Sequence, residues 1–411
     1  MVIVSIVSIE TIHAGRAEPR PAHVNHWNNW ARAAMLGAME RVETVVVGLG
    51  VMGAAALDAL AAGGGATLGI ERFTVPHAFG SSHGETRVIR KAYSEDPAYV
   101  PLLHETWSAW EELERSVGER LLTRTGALHF GPRDHPGVAA VRRSVREHGL
   151  AVEELDAAAI VRRFPAIRPG PDDVGILELD GGFLAAERCV AALAARARAR
   201  GARARTGERV LAVEVGDDGV RLRTDSAGIL AEKLVLAQGA WSEGDASVLP
   251  IPVPLRIERQ VQLWFRPREP ELFTPERMPV FIHFGRDGDF YGIPLVGAGV
   301  KVCRHHGGAV TRAEVLDREV RPEDEAPVRA YIREHLPAAD GERVDARVCM
   351  YSNTPDSHFA VGPHPRHPNR VAIACGFSGH GFKLAPVIGR LVTEHLRGAP
   401  ALPLFDPLRF G

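Results

Sequence analysis

A run of valines that ends in a glycine-rich turn constrains the fold of this chain more than any other feature. Residues 45–47 are valines, Gly48, Gly50 and Gly53 follow, and residues 54–56 are alanines. A buried strand, a tight turn and a small-residue helix in this order are typical of dinucleotide-binding folds. Gly48 permits the turn, Gly50 lets the backbone approach a pyrophosphate, and Gly53 lets the helix pack against the strand. The helix N-terminus then faces the phosphates and stabilises their charge.

A second strand supplies the carboxylate that such a fold needs. Residues 66–70 form a mostly apolar run that ends at Glu71, at the distance expected for an acid that binds the adenosine ribose. The alternative is a glycine turn in an ordinary α/β protein. Strand, turn, helix and acid together favour the dinucleotide site.

Length, charge and cysteine usage narrow the class of protein. The 411 residues, 45% of them hydrophobic, suit two domains or one domain with an inserted lobe. The net charge of −2 provides no field that recruits nucleic acid or a membrane. The arginine-rich stretch 196–209 is interpreted as a solvated helix end that stops at Gly201 rather than as a polyanion site. The cysteines lack paired or metal-type spacing, which favours free thiols, no metal and a cytoplasmic location.

Residues 1–38 are expected to lie outside the folded protein. The first nine residues are mostly apolar but lack a charged leading region, and residues 10–38 are polar and irregular. We interpret the segment as a loose, disordered extension, or as the result of a start codon placed too early. Met39 would give a short lead into the first strand.

Hydrophobic periodicity places the other elements. It predicts strand 43–47, a hairpin around residues 216–219, strands at 233–236 and 370–375, several strands within 256–303, and helices at 52–62, 98–115, 187–200 and up to Leu396. The fold class is therefore α/β (α+β). A nucleotide-binding sheet is assembled from three separated stretches of chain, and a lobe built on β-strands is inserted between them.

A Gly/Ser loop soon after Glu71 gathers a histidine and two arginines. His83, Arg87 and Arg90 lie within residues 80–90, and the two arginines are three positions apart. An arginine held inside a protein prefers a planar anion such as a substrate carboxylate or a cofactor oxygen. The alternative for this motif alone is a surface salt bridge.

Three later segments each hold one reactive side chain. Lys301 lies in the apolar strand 299–303, and alternation leaves open whether it points inward. Cys349 precedes a polar turn, where a cysteine is more often a small core residue. Lys383 follows the glycine turn 376–381 at the start of a helix, where its charge and free backbone donors would stabilise an anion.

Taken together, these segments resemble the monomeric sarcosine oxidase and N-methyltryptophan oxidase family of flavoproteins. The most specific pieces are residues 80–90, 290–305, 349–359 and 376–383, all in family order. The resemblance implies a glutathione-reductase-type FAD-binding Rossmann domain with an inserted catalytic domain on a large mixed β-sheet. We assign the FAD domain to residues 42–117, 184–255 and 356–411, and the catalytic domain to residues 118–183 and 256–355.

The resemblance implies oxidation of a secondary amine, usually an N-methyl amino acid, with reduction of dioxygen to hydrogen peroxide. FAD would be attached covalently to Cys349. Arg90 and Lys383 would grip the substrate carboxylate and so fix the amine over the flavin. Lys301 would stabilise superoxide as dioxygen takes its first electron.

The resemblance also assigns the remaining site residues. The catalytic set is Lys301, Arg87, His83, His305 and Tyr291, and the substrate-binding set is Arg90, Lys383, Tyr351 and Tyr291. The cofactor-binding set is Gly48, Gly50, Met52, Gly53, Glu71, Arg72, Ser81, Thr86, Arg87, Val210, Gly239, Cys349, Met350, Gly379, His380, Gly381 and Lys383.

Two positions depart from the family pattern and leave the substrate open. Ser82 replaces a histidine, and Ile282 lies where the sarcosine-specific members carry a methionine. Sarcosine, another N-methyl amino acid, or a cyclic imino acid such as pipecolate or proline all fit. The alternatives are a dehydrogenase with a non-oxygen acceptor, against which Lys301 argues, and a catalytically silent nucleotide-binding module. The family precedent predicts a monomer without a nucleic-acid or membrane partner.

Overall fold

The computed structural model describes residues 39–244, 247–297 and 299–411. The predicted extension over residues 1–38 lies outside these residues. The strands are β1 (Glu40–Val47), β2 (Thr67–Glu71), β3 (Thr86–Ile89), β4 (Leu122–Arg124), β5 (Ala127–Pro132), β6 (Val152–Asp156), β7 (Asp173–Glu178), β8 (Gly182–Ala185), β9 (Arg203–Thr206), β10 (Val210–Gly216), β11 (Gly219–Thr224), β12 (Gly228–Leu236), β13 (Arg256–Phe265), β14 (Val280–Gly285), β15 (Gly288–Val296), β16 (Gly299–His305), β17 (Val310–Thr311), β18 (Arg343–Asn353), β19 (Ala360–Pro363) and β20 (Val371–Cys375). The α-helices are α1 (Val51–Ala62), α2 (Val100–Val117), α3 (Pro136–His148), α4 (Ala157–Arg163), α5 (Ala186–Ala199), α6 (Pro322–His335) and α7 (Ala385–Leu396).

The first sheet has eight strands and a parallel centre. Its order is β10-β11-β12-β1-β2-β9, with β20 beside β12 and β19 beside β20. Strand β1 pairs in parallel with β12 and β2, and β12 pairs in parallel with β20. These strands come from residues 40–71, 203–236 and 360–375, which confirms the prediction of a sheet assembled from three separated stretches. Apolar clusters cover both of its faces.

The second sheet has nine strands and is mixed. Its order is β17-β13-β16-β15-β14-β5-β7-β6, with β18 beside β13. Strands β14 and β5 pair in parallel, whereas the other described pairs are antiparallel. This is the large mixed sheet that the sequence predicts for the inserted lobe. Residues 40–411 pack as one compact unit, so the limits of the two predicted domains stay a prediction.

The glycine turn has the conformation that the sequence pattern requires. Gly48 has φ +88°, and a Cβ there would lie 2.5 Å from the carbonyl oxygen of Ala237. A Cβ on Gly53 would overlap the carbonyl oxygen of Gly48. A Cβ on Gly50 would meet only the Oγ of Ser82, 3.3 Å away. Two glycines therefore serve close packing, and the third keeps one face of the turn open.

The predicted helices form with small shifts at their ends. Helix α1 begins one residue before the predicted start, and α2 runs over 100–117 instead of 98–115 because residues 97–99 form a 3₁₀ turn. Helix α5 ends before Gly201, as predicted. Its arginines Arg196 and Arg200 are not simply solvated, because both form ion pairs with Asp58 of α1, at 2.7 and 2.8 Å. None of the described helices is long and apolar enough to cross a bilayer.

Replacement of Gly389 by alanine tests the contact between α7 and α1. A Cβ on Gly389 would overlap the carbonyl oxygen of Ala55. Alanine normally favours a helix by about 1 kcal/mol over glycine, but overpacking against backbone costs about 1–3 kcal/mol. We expect Gly389→Ala to lower the free energy of unfolding and the thermal midpoint.

Gly170→Ala is the matched control, because a Cβ there meets only ordinary contacts at 3.4 Å with Asp173. It should leave stability unchanged or raise it by up to about 1 kcal/mol. A Gly389→Ala protein as stable as this control would show that the helices are not in backbone contact.

Candidate active site

A cavity of ≈ 660 Å³ is lined by residues of both large sheets. Its volume is that of a small-molecule site. Gly48, Glu71 and Val210 line it from the first sheet and the turn that follows β1, whereas Tyr291, His305 and Cys349 line it from the second. The sequence motifs that lie far apart along the chain therefore meet in one space.

The part of the cavity beside the glycine turn carries a buried, ionised carboxylate. The amides of Leu49 and Phe73 donate to Glu71 Oε2 and Oε1, at 2.7 and 3.0 Å. Burial opposes the charge of Glu71, but the interaction with His77 and these two amides outweighs it and lowers the pKa of the carboxyl. Met52 and Gly239 also line this part, and Arg72 lines it while pairing with Glu314 at 2.8 Å.

The loop 81–87 is held by two cations that donate to its backbone. Lys301 is buried, so the structure answers the question that alternation left open, and its Nζ donates to the carbonyls of Gly84 and Thr86 at 2.8 and 3.2 Å. Arg87 donates to the carbonyls of Ser81 and His83 at 2.8 and 2.5 Å. Burial, then the charge of Arg87, lowers the pKa of Lys301 to about 7. A carbonyl does not neutralise a cation, so Arg87 and the protonated form of Lys301 give the loop a positive potential.

Cys349 lies in strand β18 and lines the cavity. Burial raises the pKa of the thiol, and the nearby Arg87 charge opposes that rise. The next residue, Met350, accepts a hydrogen bond from Ser81 Oγ at 2.7 Å. This bond fixes the loop against the strand that carries the cysteine.

Arg90 and Lys383 converge on the ring of Tyr93. The Arg90 guanidinium carbon lies 4.4 Å from the ring centroid, and Lys383 Nζ lies 5.0 Å from it and 3.2 Å from the Tyr93 hydroxyl. Arg90 also forms an ion pair with Glu95 at 3.0 Å. Burial, then the charge of Arg90, lowers the pKa of Lys383 to about 7. Arg90 and Lys383, called the carboxylate clamp below, thus come from distant segments to one point.

A chain of hydrogen bonds fixes the protons beside the clamp. His380 Nε2 lies 2.9 Å from the carbonyl oxygen of Ser357, which can only accept, so Nε2 carries the proton. His380 Nδ1 then accepts from the Tyr93 hydroxyl at 2.8 Å, and that hydroxyl accepts from Lys383. Burial lowers the pKa of His380 to about 4, so the imidazole is neutral at neutral pH.

A second tyrosine–histidine pair stands on the second sheet. The Tyr351 hydroxyl lies 3.1 Å from His305 Nδ1, and the rings of Tyr291 and His305 meet edge to face with centroids 6.3 Å apart. Burial lowers the pKa of His305 to about 3. The predicted wall residues Tyr291, Tyr351 and His305 therefore form one uncharged surface, with Ile282 beside them in the cavity lining.

Most of the predicted site residues line the cavity, but four do not. Gly53, His83, Thr86 and Lys301 lie outside its lining. His83 is buried, its pKa is lowered to about 3 by burial and then by Arg87, and neither ring nitrogen has a partner among the described residues. The roles predicted for these four residues, like those of the lining residues, stay predictions.

Sequence reasoning missed Tyr93, Glu95 and Gln262. Tyr93 and Glu95 lie three and five residues after Arg90, outside the segment chosen as the motif. Gln262 is buried in β13 and its side chain lies 3.4 Å from the carbonyl oxygen of His83. Polar residues at alternate positions of an apolar strand, Gln260 and Gln262, were the signal that could have identified it.

Comparison with known proteins decides the family. The family model described as FAD dependent oxidoreductase matches residues 43–395. The chain belongs to this family. Monomeric sarcosine oxidase of Streptomyces avermitilis is 40% identical over 89% of this chain and 97% of its own length. N-methyl-L-tryptophan oxidase of Salmonella enteritidis is 33% identical, over 90% of this chain and 98% of its own length. The resemblance inferred from the sequence motifs is confirmed.

Two solved structures agree with this architecture. NikD, described as an unusual amino acid oxidase essential for nikkomycin biosynthesis, superposes with a TM-score of 0.79 at 25% identity, covering 91% of this chain and 98% of NikD. L-proline dehydrogenase from P. horikoshii superposes with a TM-score of 0.78 at 22% identity, covering 91% of this chain and 98% of its own. The second likeness shows the fold alone.

The residues of the cavity fit the FAD that the family binds. The open face of the turn at Gly50 and the free amides at the start of α1 suit a pyrophosphate, and the ionised Glu71 suits a ribose. When bound, FAD supplies an acceptor for two electrons. Ser82 Oγ, which accepts from the Val51 amide at 3.1 Å, is the protein group that touches this helix end.

Lys383→Met tests the buried charge of the clamp. In the folded protein the pKa of Lys383 is about 7, against 10.5 unperturbed, so the unfolded chain binds more protons between these values and stability rises with pH there. Methionine removes the free-energy cost of burying the lysine charge. It does not leave Glu95 unpaired, because Glu95 still binds Arg90. We expect the variant to be more stable than wild type at pH 7 by about 1–4 kcal/mol.

The same variant should show a smaller rise of thermal midpoint between pH 7 and 10 than wild type. Lys91→Met is the control, because Lys91 pairs with the exposed Asp180 at 2.9 Å. A Lys383→Met protein that is less stable at pH 7, with an unchanged pH slope, would contradict a buried lysine of lowered pKa.

Proposed function

We propose that this protein oxidises an N-methyl amino acid with FAD attached covalently to Cys349 and with dioxygen as the acceptor, giving hydrogen peroxide. The enzyme acts as a cytoplasmic monomer. The observation that carries the proposal is the carboxylate clamp at the cavity that also holds the glycine turn and Glu71. The names of the relatives, monomeric sarcosine oxidase and N-methyl-L-tryptophan oxidase, support this substrate class.

The clamp fixes the substrate by its carboxylate. Arg90 Nη1 donates to the Ala92 carbonyl at 2.9 Å, and its Nη2 lies 3.0 Å from both carboxylate oxygens of Glu95. A substrate carboxylate in the cavity meets the guanidinium beside Glu95 and gains the Lys383 ammonium as well. His305 and His380 are neutral imidazoles and add no positive charge, so only Arg90 and Lys383 attract the substrate carboxylate.

The amine must be oriented and uncharged, because its lone pair drives the oxidation. Tyr291, Tyr351 and His305 line the cavity on the second sheet and provide an uncharged wall for it. The clamp fixes one end of the molecule and this wall fixes the other, so the reacting carbon is held in one place. Cations around the site favour the neutral form of the amine.

Lys301 and Arg87 supply positive charge under the loop 81–87. Lys301 donates to two carbonyls, and these neutral partners leave its charge available to an anion. We assign Lys301 the stabilisation of the anion that forms when dioxygen takes its first electron. The charge of Arg87 also opposes the rise in the pKa of Cys349, which favours the thiolate that a covalent bond to the cofactor requires.

Cys349→Ala tests the covalent bond. We expect the wild-type protein to stay yellow after precipitation in acid, and the variant to release its colour into the supernatant. Cys303→Ala is the control, because that thiol is also buried and should leave the pellet yellow. A wild-type pellet without colour would overturn the covalent attachment but not the oxidase activity.

Mixing without and with dioxygen tests the reaction. An N-methyl amino acid should bleach the yellow protein anaerobically, and air should restore the colour with release of peroxide. Lys301→Met should slow recolouring about tenfold or more, with a much smaller effect on bleaching. Lys233→Met, whose ammonium donates to the Leu396 carbonyl outside the cavity, should change neither step.

Each of the other outcomes would indicate a different activity for this protein. Bleaching without peroxide, with colour restored only by an artificial acceptor, indicates a dehydrogenase. If only a cyclic imino acid bleaches the protein, the substrate is a cyclic imino acid and not an N-methyl amino acid. A protein that no secondary amine bleaches has no amine oxidase activity, and the proposal is wrong.

A further inference from the structure

One carboxylate of the cavity lacks the partner that the others have. Glu71 accepts from backbone amides, Glu95 binds Arg90, Glu208 accepts from Thr224 Oγ1 at 2.5 Å, and Glu314 binds Arg72. Asp289 also lines the cavity and is half-buried. Within residues 39–244, 247–297 and 299–411, its carboxylate has neither a hydrogen bond nor an ion pair.

The strand register places Asp289 beside the amine wall. Asp289 pairs with Phe284 of β14 and His305 of β16, and Tyr291 pairs with Ile282. These side chains line the cavity together, because alternate residues of a strand share one face. Asp289 and Tyr291 are two residues apart on β15, so they lie about 6–7 Å apart along the strand.

The neighbouring histidines bind other groups. His283 lies 3.5 Å from Asp173 and 3.1 Å from the Tyr331 hydroxyl, and His306 lies 3.6 Å from Glu258. The third, His135, uses Nδ1 to accept the Gly137 amide at 3.1 Å and so caps α3.

We propose that Asp289 is a binding subsite for a positively charged substituent of the substrate, an ammonium or guanidinium on a short chain. A half-buried carboxylate that lines a cavity and has no partner among the described residues is stabilised by a cation that binds beside it. The inference rests on the proposed function. The carboxylate clamp holds the substrate carboxylate, the wall of Tyr291 and His305 faces the amine, and Ile282 and Phe284 flank the methylene groups that lead to Asp289.

The substrate class is then a basic secondary amino acid rather than sarcosine itself. Two isosteric pairs of compounds separate charge from size. Nα-methyl-L-ornithine and Nα-methyl-L-norleucine differ only in an ammonium against a methyl group at the end of the side chain. N-(3-aminopropyl)glycine and N-butylglycine place the same difference on the nitrogen substituent. Peroxide release or anaerobic bleaching gives kcat/KM for each.

The wild-type holoenzyme should favour the charged member of at least one pair about 10- to 100-fold in kcat/KM. Asp289→Asn should bring that ratio to about one, since it removes the charge and keeps the shape. Asp287→Asn is the control, because Asp287 is an exposed carboxylate two residues away in the same hairpin, and it should keep the wild-type ratio.

The outcomes separate the two proposals. A wild-type ratio near one for both pairs, with sarcosine and the uncharged members oxidised, overturns the subsite and leaves the proposed function in place. A preference that survives in Asp289→Asn also overturns it. If no secondary amine bleaches the protein, the proposed function is wrong and the subsite is overturned with it. The wild-type ratio needs no variant, so a misfolded Asp289→Asn protein still leaves a decisive result.

Discussion

Main-chain carbonyl oxygens hold the positively charged side chains in the cavity lining and directly behind it, and the rest of the site depends on them. Lys301 and Arg87 donate to the backbone of the loop 81–87, and Lys383 donates to the carbonyl of His380 at 2.6 Å. A carbonyl oxygen accepts a hydrogen bond from a cation without neutralising its charge, whereas a carboxylate accepts the bond and neutralises the charge as well. Only Arg90 of these four cations has a carboxylate partner, Glu95, among the described residues. The charge of Arg87 and that of protonated Lys383 are therefore left for anions that bind beside them.

The two large sheets divide the work of the site. The first sheet supplies the glycine turn and Glu71, which suit the nucleotide part of a cofactor. The second supplies Cys349, Lys301 and the uncharged wall. The loop 81–92 joins the two sides. Ser82 Oγ accepts the amide of Val51 in the helix that follows β1, whereas Ser81 binds the carbonyl of Met350 in β18 and the Glu178 carboxylate of β7 accepts the amides of residues 91 and 92 at 2.8 Å. A change in that loop thus affects both the electrostatics of the site and the alignment of its parts.

The sequence predicts elements that local pattern determines and misses contacts that only packing determines. The valine strand, the glycine turn and the last helix, up to Leu396, form as expected. The inward direction of Lys301 was not predictable, because alternation defines two faces and not which one is buried. Tyr93 and Asp289 carry no local motif. Tyr93 matters because it contacts Lys383, which lies 290 residues away in the sequence. Asp289 matters because the register of β15 with its neighbouring strands places it in the cavity lining.

The assembly of the first sheet from three stretches has a consequence for how the chain acquires its structure. Strand β1 pairs with β12, which lies nearly two hundred residues later in the chain, and β12 pairs with β20 near position 371. Contacts of such long sequence separation form slowly, because much chain entropy is lost before they are made. During synthesis on the ribosome, helix α1 emerges early, and its partner α7, whose Gly389 packs against Ala55, is made almost at the end. Affinity for a nucleotide should therefore appear late and all at once, and a nascent chain halted before α7 should be a substrate for chaperones.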